Sequence, residues 1–342
     1  MFGIELSLVW AVLIAVAVFL YVALDGFDLG VGILFPFAKN ARERDQMQAA
    51  IAPVWDGNET WLVLGGGGLF AAFPKAYAAL MPALYLPIFL MLLALIFRGV
   101  AFEFRHHGRE RGRKLWTVAF SGGSIAAAIA QGLVLGGFVQ GIAIEGEVFV
   151  GGPFDWLTPF SLLVSASLVA GYALLGAAWI VFKTQGELAE RARRWVKQLA
   201  LLTALAMGAV SLATLGVDAR VTERWGLTMT SVDWPVFIKL APLPLLAGVI
   251  LFLMWRGIEE RKFLRPYLYA VCLFLIGYVG LAVSLWPFII PFAMTPADAA
   301  AADNALQLML CGALVMLPII LAYTAFVYWT FRAKVDDDAA YH

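Results

Sequence analysis

The sequence predicts an all-α polytopic membrane protein with nine transmembrane helices. Three observations carry that prediction. Hydrophobic residues make up 62% of the 342 positions, far too many for a soluble domain. They gather into runs of about 20 residues bounded by charged or Gly/Pro-rich turns. The basic residues fall almost entirely on alternate turns. The chain therefore reads as a single integral membrane domain, residues 1–342, with its N-terminus outside and its C-terminus in the cytoplasm.

Taken in order, the spans fall near 6–36, 51–72, 79–98, 117–140, 157–182, 199–217, 236–255, 266–289 and 306–331. The first runs past signal-peptide length and lacks both a basic leader and an Ala-x-Ala site, so it reads as retained. Of the 24 Lys and Arg, all but Lys75, Arg220, Arg224 and Lys239 lie in the connections near 38–50, 98–116, 183–198 and 256–265 or in the tail from 332. Lys and Arg accumulate in cytoplasmic loops, so this set marks the cytoplasmic side and makes the number of spans odd. Trp116, Trp156, Trp195, Trp234, Trp255 and Trp329 stand near predicted span ends, where an indole favours the membrane interface. Phe97-Arg98-Gly99 closes the third span and Trp255-Arg256-Gly257 the seventh. This echo suggests two four-helix bundles, within 1–140 and 157–290, and one peripheral helix, 306–331.

Cys272 and Cys311 are the only cysteines and lie in apolar runs. They exclude a disulfide framework and a four-thiolate metal site, and read as packing residues. His106, His107 and His342 are the only histidines, all in predicted cytoplasmic segments. No span then offers the imidazole that a membrane haem commonly takes as a ligand. With a net charge of +0, nothing suggests a nucleic-acid partner.

The chemistry lies in four acids within apolar sequence: Asp25 and Asp28 in Leu24-Asp-Gly-Phe-Asp-Leu-Gly-Val-Gly32, and Asp56 and Glu59 in Pro53-Val-Trp-Asp-Gly-Asn-Glu-Thr-Trp61. A carboxylate in hydrocarbon costs several kcal/mol unless it is neutral, paired or hydrated. Each pair is spaced three apart, so its members share a helix face. Asp25 precedes Lys39 by about 20 Å of helix, which places the acids near the membrane middle or its cytoplasmic half. Removing a carboxyl from water favours its neutral form and can bring it into the range where it exchanges protons near neutral pH. That suits a proton relay from the cytoplasm. Plainer readings stand beside it. Asp56, after Pro53, can cap the second helix with Asn58 and Glu59 completing the cap, and Asp28 can pair with a basic residue such as Arg98 at a helix end. Gly26, Gly30 and Gly32, with Gly65 to Gly68, allow the first two helices to approach closely. A phosphate cradle is disfavoured, because no Lys-Ser/Thr follows these glycines and no strand precedes them. On the residues alone, a proton-coupled solute transporter and a proton-conducting subunit are served nearly equally, and a purely architectural subunit is a third reading.

The segments just quoted, together with Leu69-Phe-Ala-Ala-Phe-Pro74, Phe97-Arg-Gly-Val-Ala-Phe-Glu-Phe-Arg105, Trp286-Pro-Phe-Ile-Ile-Pro291 and Tyr323 through Arg332, resemble subunit II of the cytochrome bd-type quinol oxidases. The resemblance runs from the first span to the last. Its wording around Glu59-Thr-Trp-Leu62 is nearer to the cyanide-insensitive branch. It implies a terminal oxidase of the bacterial inner membrane that takes electrons from quinol, reduces dioxygen to water with protons drawn from the cytoplasm, and generates a membrane potential without pumping. It also implies that b-type and d-type haems and the quinol-oxidising loop belong to a haem-bearing subunit I, the partner in a pseudo-symmetric heterodimer. A small single-helix subunit, bound lipids and a structural quinone on this chain are left open. Carried over by position, the family's first-span acid falls on Asp25 and its Trp-Asp-Gly-Asn acid on Asp56, as residues of proton uptake. Asp28 and Glu59 follow less directly, since many relatives have Gln where Glu59 stands.

Overall fold

In the computed structural model of the chain, residues 5–107, 110–227 and 231–335 are described. The long first helix α1 (Leu6–Leu34) ends in a 3-10 turn at Phe35–Phe37, followed by the short surface helix α2 (Ala41–Ala49) and then α3 (Trp55–Ala72) and α4 (Pro74–Ala83). The paired helices α5 (Tyr85–His107) and α6 (Glu110–Val139) lead to a two-stranded hairpin, β1 (Ile144–Glu145) and β2 (Val148–Phe149). Next come α7 (Pro159–Lys183), α8 (Gly186–Leu215), the short α9 (Ala219–Arg224), α10 (Trp234–Leu240) and α11 (Pro242–Glu259). α12 (Arg265–Leu285), α13 (Pro296–Ala299) and α14 (Asp303–Thr330) complete the chain.

Among the described residues, 8 helical segments are long and apolar enough to cross a membrane. They coincide with the predicted spans other than the second. That one is α3, whose 18 residues open with the polar turns Trp55-Asp-Gly-Asn-Glu-Thr60 and so fall below the same measure of apolarity. The third predicted span is displaced. The chain bends at Leu84, between α4 and α5, and α5 carries on through Arg98 to His107. Arg98 is therefore not a loop residue; it is 1% exposed. Arg256, its counterpart in the sequence echo, is exposed and paired with Glu260 at 3.1 Å. The sixth helix starts earlier than expected, because the charged stretch from Gly186 is itself helical. The seventh is broken at Ala241, after which Pro242 opens a new helix at the one position where its missing N–H costs nothing.

α1 organises the packing. It touches α3, α6, α7, α12 and α14, while α5 lies on α6, α6 on α7, α7 on α8, α8 on α11, and α12 on both α11 and α7. The N-terminal half of α1 shows several side chains at the surface, but every residue from Asp25 to Phe35 is buried. That enclosure depends on glycine. A Cβ placed on Gly30 would come 1.8 Å from the Tyr172 carbonyl oxygen, and one on Gly176 would come 2.3 Å from the Gly30 carbonyl carbon. Gly26 and Gly30 thus press α1 against α7 and Gly32 presses it against α6, while the expected approach of α3 to α1 is made through Gly65 and Gly68, where a Cβ would come 3.2 Å from Val18 and Ile14; one at Gly66 or Gly67 would meet nothing within 4 Å. Beside this contact Phe27 stacks on Trp179 with ring centroids 4.1 Å apart and meets Tyr267 edge-on at 5.7 Å, each pair adding roughly 0.5–1.5 kcal/mol beyond area burial. Cys272 and Cys311 are both exposed on the surface of the chain, so they do not pack the core as expected.

The connections grouped by basic residues meet at one end of the molecule. Arg191 holds Glu43 with two hydrogen bonds at 2.6 and 2.8 Å, Lys39 pairs with Glu187 at 3.2 Å, and Asp45 accepts from both Arg105 and Arg113. Lys183, also at this end, donates to the carbonyls of Phe331 and Ala333 and so fixes the end of α14. This anchoring matters because α14 buries little else than Leu306, whose carbonyl accepts from the Trp10 indole at 3.1 Å. Lys75 and Arg220 lie at the opposite end, with the hairpin: Lys75 pairs with Glu147 at 2.6 Å and Arg220 with Asp218 at 2.9 Å. His106 and His107 continue α5, but their side chains lie outside the described residues, as do Arg109 and His342.

Candidate functional site: a buried carboxylate cluster

The four predicted acids come together where α1, α3, α5 and α14 meet, and they differ in exposure. Asp25 and Asp28 are both 0% exposed, Glu59 is half-buried and Asp56 is exposed. Glu59 is near enough to interact electrostatically with Arg98, Asp25 and Asp56.

Asp25 accepts a hydrogen bond from Arg98 Nη1 at 2.8 Å, and the guanidinium lies 5.9 Å from the centre of the Trp55 ring. The sequence offered Arg98 as a partner for Asp28. The structure gives it to Asp25, and Asp28 instead accepts from the Asn58 amide at 2.7 Å. Asn58 also accepts from the Tyr328 hydroxyl at 2.8 Å, which draws α14 into the site. The capping role expected for Asp56 and Asn58 is not found. Val54 stands at the cap position without a side-chain bond, and Asn58 points across to α1. Among the described residues, Asp25 Oδ2, Asp28 Oδ1, and Arg98 Nε and Nη2 have no protein partner. Two buried carboxylates and one guanidinium thus stand close together with hydrogen-bonding capacity that the described protein atoms do not fill, where a buried polar group ordinarily has a partner.

A second buried chain lies beside Asp25 on the side away from the basic end. Tyr172 donates to Gln131 Oε1 at 2.7 Å, and Gln131 Nε2 donates to the Tyr21 hydroxyl at 2.6 Å. Sequence reasoning missed all three residues and the pairing of Arg98. The signals were present: Gln131 is a lone amide within an apolar helix, and Arg98 has apolar residues on both sides. A lone polar group in such a setting needs a partner.

These features define a polytopic membrane protein that buries carboxylates around a guanidinium. Comparison with known proteins makes the class specific. The profile of the family described as cytochrome bd terminal oxidase subunit II matches residues 6–331. Subunit 2 of the cytochrome bd-I ubiquinol oxidase of Escherichia coli K12 is 29% identical, over 97% of this chain and 96% of its own. Subunit 2 of the cytochrome bd ubiquinol oxidase of Bacillus subtilis is 28% identical, over 96% of each. The bd oxidase structure from Geobacillus thermodenitrificans shares the fold, with a TM-score of 0.78 at 17% identity, covering 96% of this chain and 99% of that one. The chain belongs to the cytochrome bd terminal oxidase subunit II family. It is part of a membrane-bound quinol oxidase that couples quinol oxidation to the reduction of dioxygen.

The family implies haem in the assembled oxidase. Among the described residues no group of three or more His, Cys, Asp and Glu is arranged to hold a metal.

Proposed function

We propose that this subunit provides part of the path by which protons from the cytoplasm reach the oxygen-reducing centre. They enter at Asp56 and pass Glu59 to Asp28 and Asp25, while the b-type and d-type haems reside on a haem-bearing subunit I. The observation that carries the reading is the gradient of exposure along adjacent faces of α1 and α3, from exposed Asp56 through half-buried Glu59 to fully buried Asp28 and Asp25. Dioxygen reduction consumes protons, and quinol oxidised on the other side of the membrane releases them, so uptake from the cytoplasm makes turnover electrogenic. In this reading α3 is the ninth span, its polar opening turns sheltered by α1 and by the partner. The N-terminus is outside and the basic end lies in the cytoplasm of a bacterium, against the inner membrane. α1, α3, α5 and α6 form one four-helix bundle, α7, α8, α11 and α12 the other, and α14 is the peripheral helix. A quinone packed as a lipid-like ligand and a small single-helix companion belong to the same picture.

One observation favours a second reading for a single residue. The Arg98 bond gives Asp25 an architectural task, so its replacement is expected to lower the yield of complex as well as its rate.

The test is a double-mutant cycle in the assembled oxidase. Asp28→Asn and Asp56→Asn each lower oxygen consumption per haem while the haem spectrum is unchanged, and the double variant loses little more than the worse single. Normal turnover in both singles would remove these acids from the path; fully additive losses would assign them separate roles.

A further inference from the structure

We propose that the basic end carries a site for the phosphate of an anionic phospholipid, where the start of α8, the turn between α11 and α12, and the C-terminal tail meet. These segments surround a cavity of about 190 Å³ lined by Arg193, Arg261 and Lys334 against one carboxylate, Glu190. Arg193 is 6% exposed and its Nε has no hydrogen-bond partner among the described residues. Among the described residues its Nη atoms reach the Lys262 and Arg261 carbonyls, each at 3.5 Å. Glu190 is 3.7 Å from Arg193 and 3.3 Å from Arg261, so one carboxylate is shared between two guanidiniums. Among the described residues no carboxylate pairs with Lys334, and its ammonium lies over the Phe263 ring at 3.3 Å. Burial, and then the neighbouring Arg193, push that ammonium below the usual lysine range, as expected where positive charge is in excess.

Two further features point to a phosphate. Gln185 and Gly186 line the same cavity and open α8, whose first turn has no side-chain cap. The first N–H groups of a helix and its dipole favour an anion, and Glu187 in this turn is paired with Lys39 at 3.2 Å. A lipid is the source best matched by the surroundings. Phe263, Trp255, Trp329 and Phe331 are exposed at this end of the molecule, the arrangement found at the headgroup level of a bilayer. From the cavity, Leu264, Leu268 and Leu275 continue along one exposed face of α12, where acyl chains can lie. Basic pockets of this kind on the cytoplasmic side recognise anionic headgroups.

The experiment uses the assembled, delipidated oxidase, with bound lipid counted by native mass spectrometry and thermal unfolding followed with added dioleoylphosphatidylglycerol, dioleoylphosphatidylcholine or sodium phosphate. The complex is expected to retain phosphatidylglycerol and to melt at a higher temperature with it, and not with phosphatidylcholine. The variant Arg261→Gln/Lys334→Gln, changed only at accessible positions, is expected to retain one phosphatidylglycerol fewer and to need several-fold more for the same shift, with haem content and turnover unchanged. Equal retention by variant and parent, or equal effects of the two lipids, would overturn the proposal. So would a full response to sodium phosphate alone, which would assign the site to a free anion. Retention by a chain ending at Val335 but not by the full chain would also overturn it, by making Asp336 to Asp338 of the tail the occupant.

Discussion

Arg98→Met is expected to destabilise the assembled oxidase by about 3–5 kcal/mol, the usual consequence of removing one member of a buried ion pair. Arg98 is 1% exposed, bonds Asp25 and lies near Asp28, so its loss leaves two enclosed carboxyls without a positive partner among the described residues. The carboxyls then either hold an uncompensated charge or stay protonated, and both outcomes oppose folding or proton transfer. The measurement is the yield of complex and its melting temperature. Adding Asp25→Leu to Arg98→Met should recover most of the loss, because replacing a whole buried pair with apolar groups is often nearly neutral. No recovery would show that the pair is not what the single variant breaks.

Gly30→Ala is the second change with a large expected effect. The added methyl would lie 1.8 Å from a backbone oxygen of α7, and no rotamer change can relieve that contact. Overpacking costs typically 1–3 kcal/mol, and a backbone obstacle places this case at about 3 kcal/mol or more. The α1–α7 contact also positions Asp25 and Asp28, which lie on the same buried stretch of α1. Turnover per haem should therefore fall along with the melting temperature. Gly208→Ala is the control, since a Cβ there meets nothing within 4 Å. If both variants melt like the parent, the close approach of α1 and α7 is not as described.

Much of this was legible in the sequence. Apolar runs revealed most of the spans because hydrocarbon demands length, and the basic residues marked connections that meet at one end of the molecule, as Arg191–Glu43 and Lys39–Glu187 do. The acids stood out because nothing else in an apolar helix explains a carboxyl. What the sequence hid was pairing. Asp25 and Arg98 are 73 positions apart, and Asn58 and Tyr328 are 270 apart. An arginine in a hydropathy trace reads as the end of a span, which is why Arg98 was placed in a loop although Leu95-Ile96-Phe97 and Val100-Ala101-Phe102 flank it. The glycines were correctly read as a close contact, but glycine carries no sign of its partner. Gly65 and Gly68 meet α1 as their place on the second span suggested, but the tightest approach, at Gly30, is to α7.

Proton uptake during a single turnover tests the central claim most directly. Reduced oxidase carrying Asp56→Asn would be mixed with dioxygen, and uptake of protons from the cytoplasmic side followed alongside the haem spectrum. The proposed path predicts that oxygen binds at the parental rate while proton uptake slows severalfold. Uptake at the parental rate would contradict it.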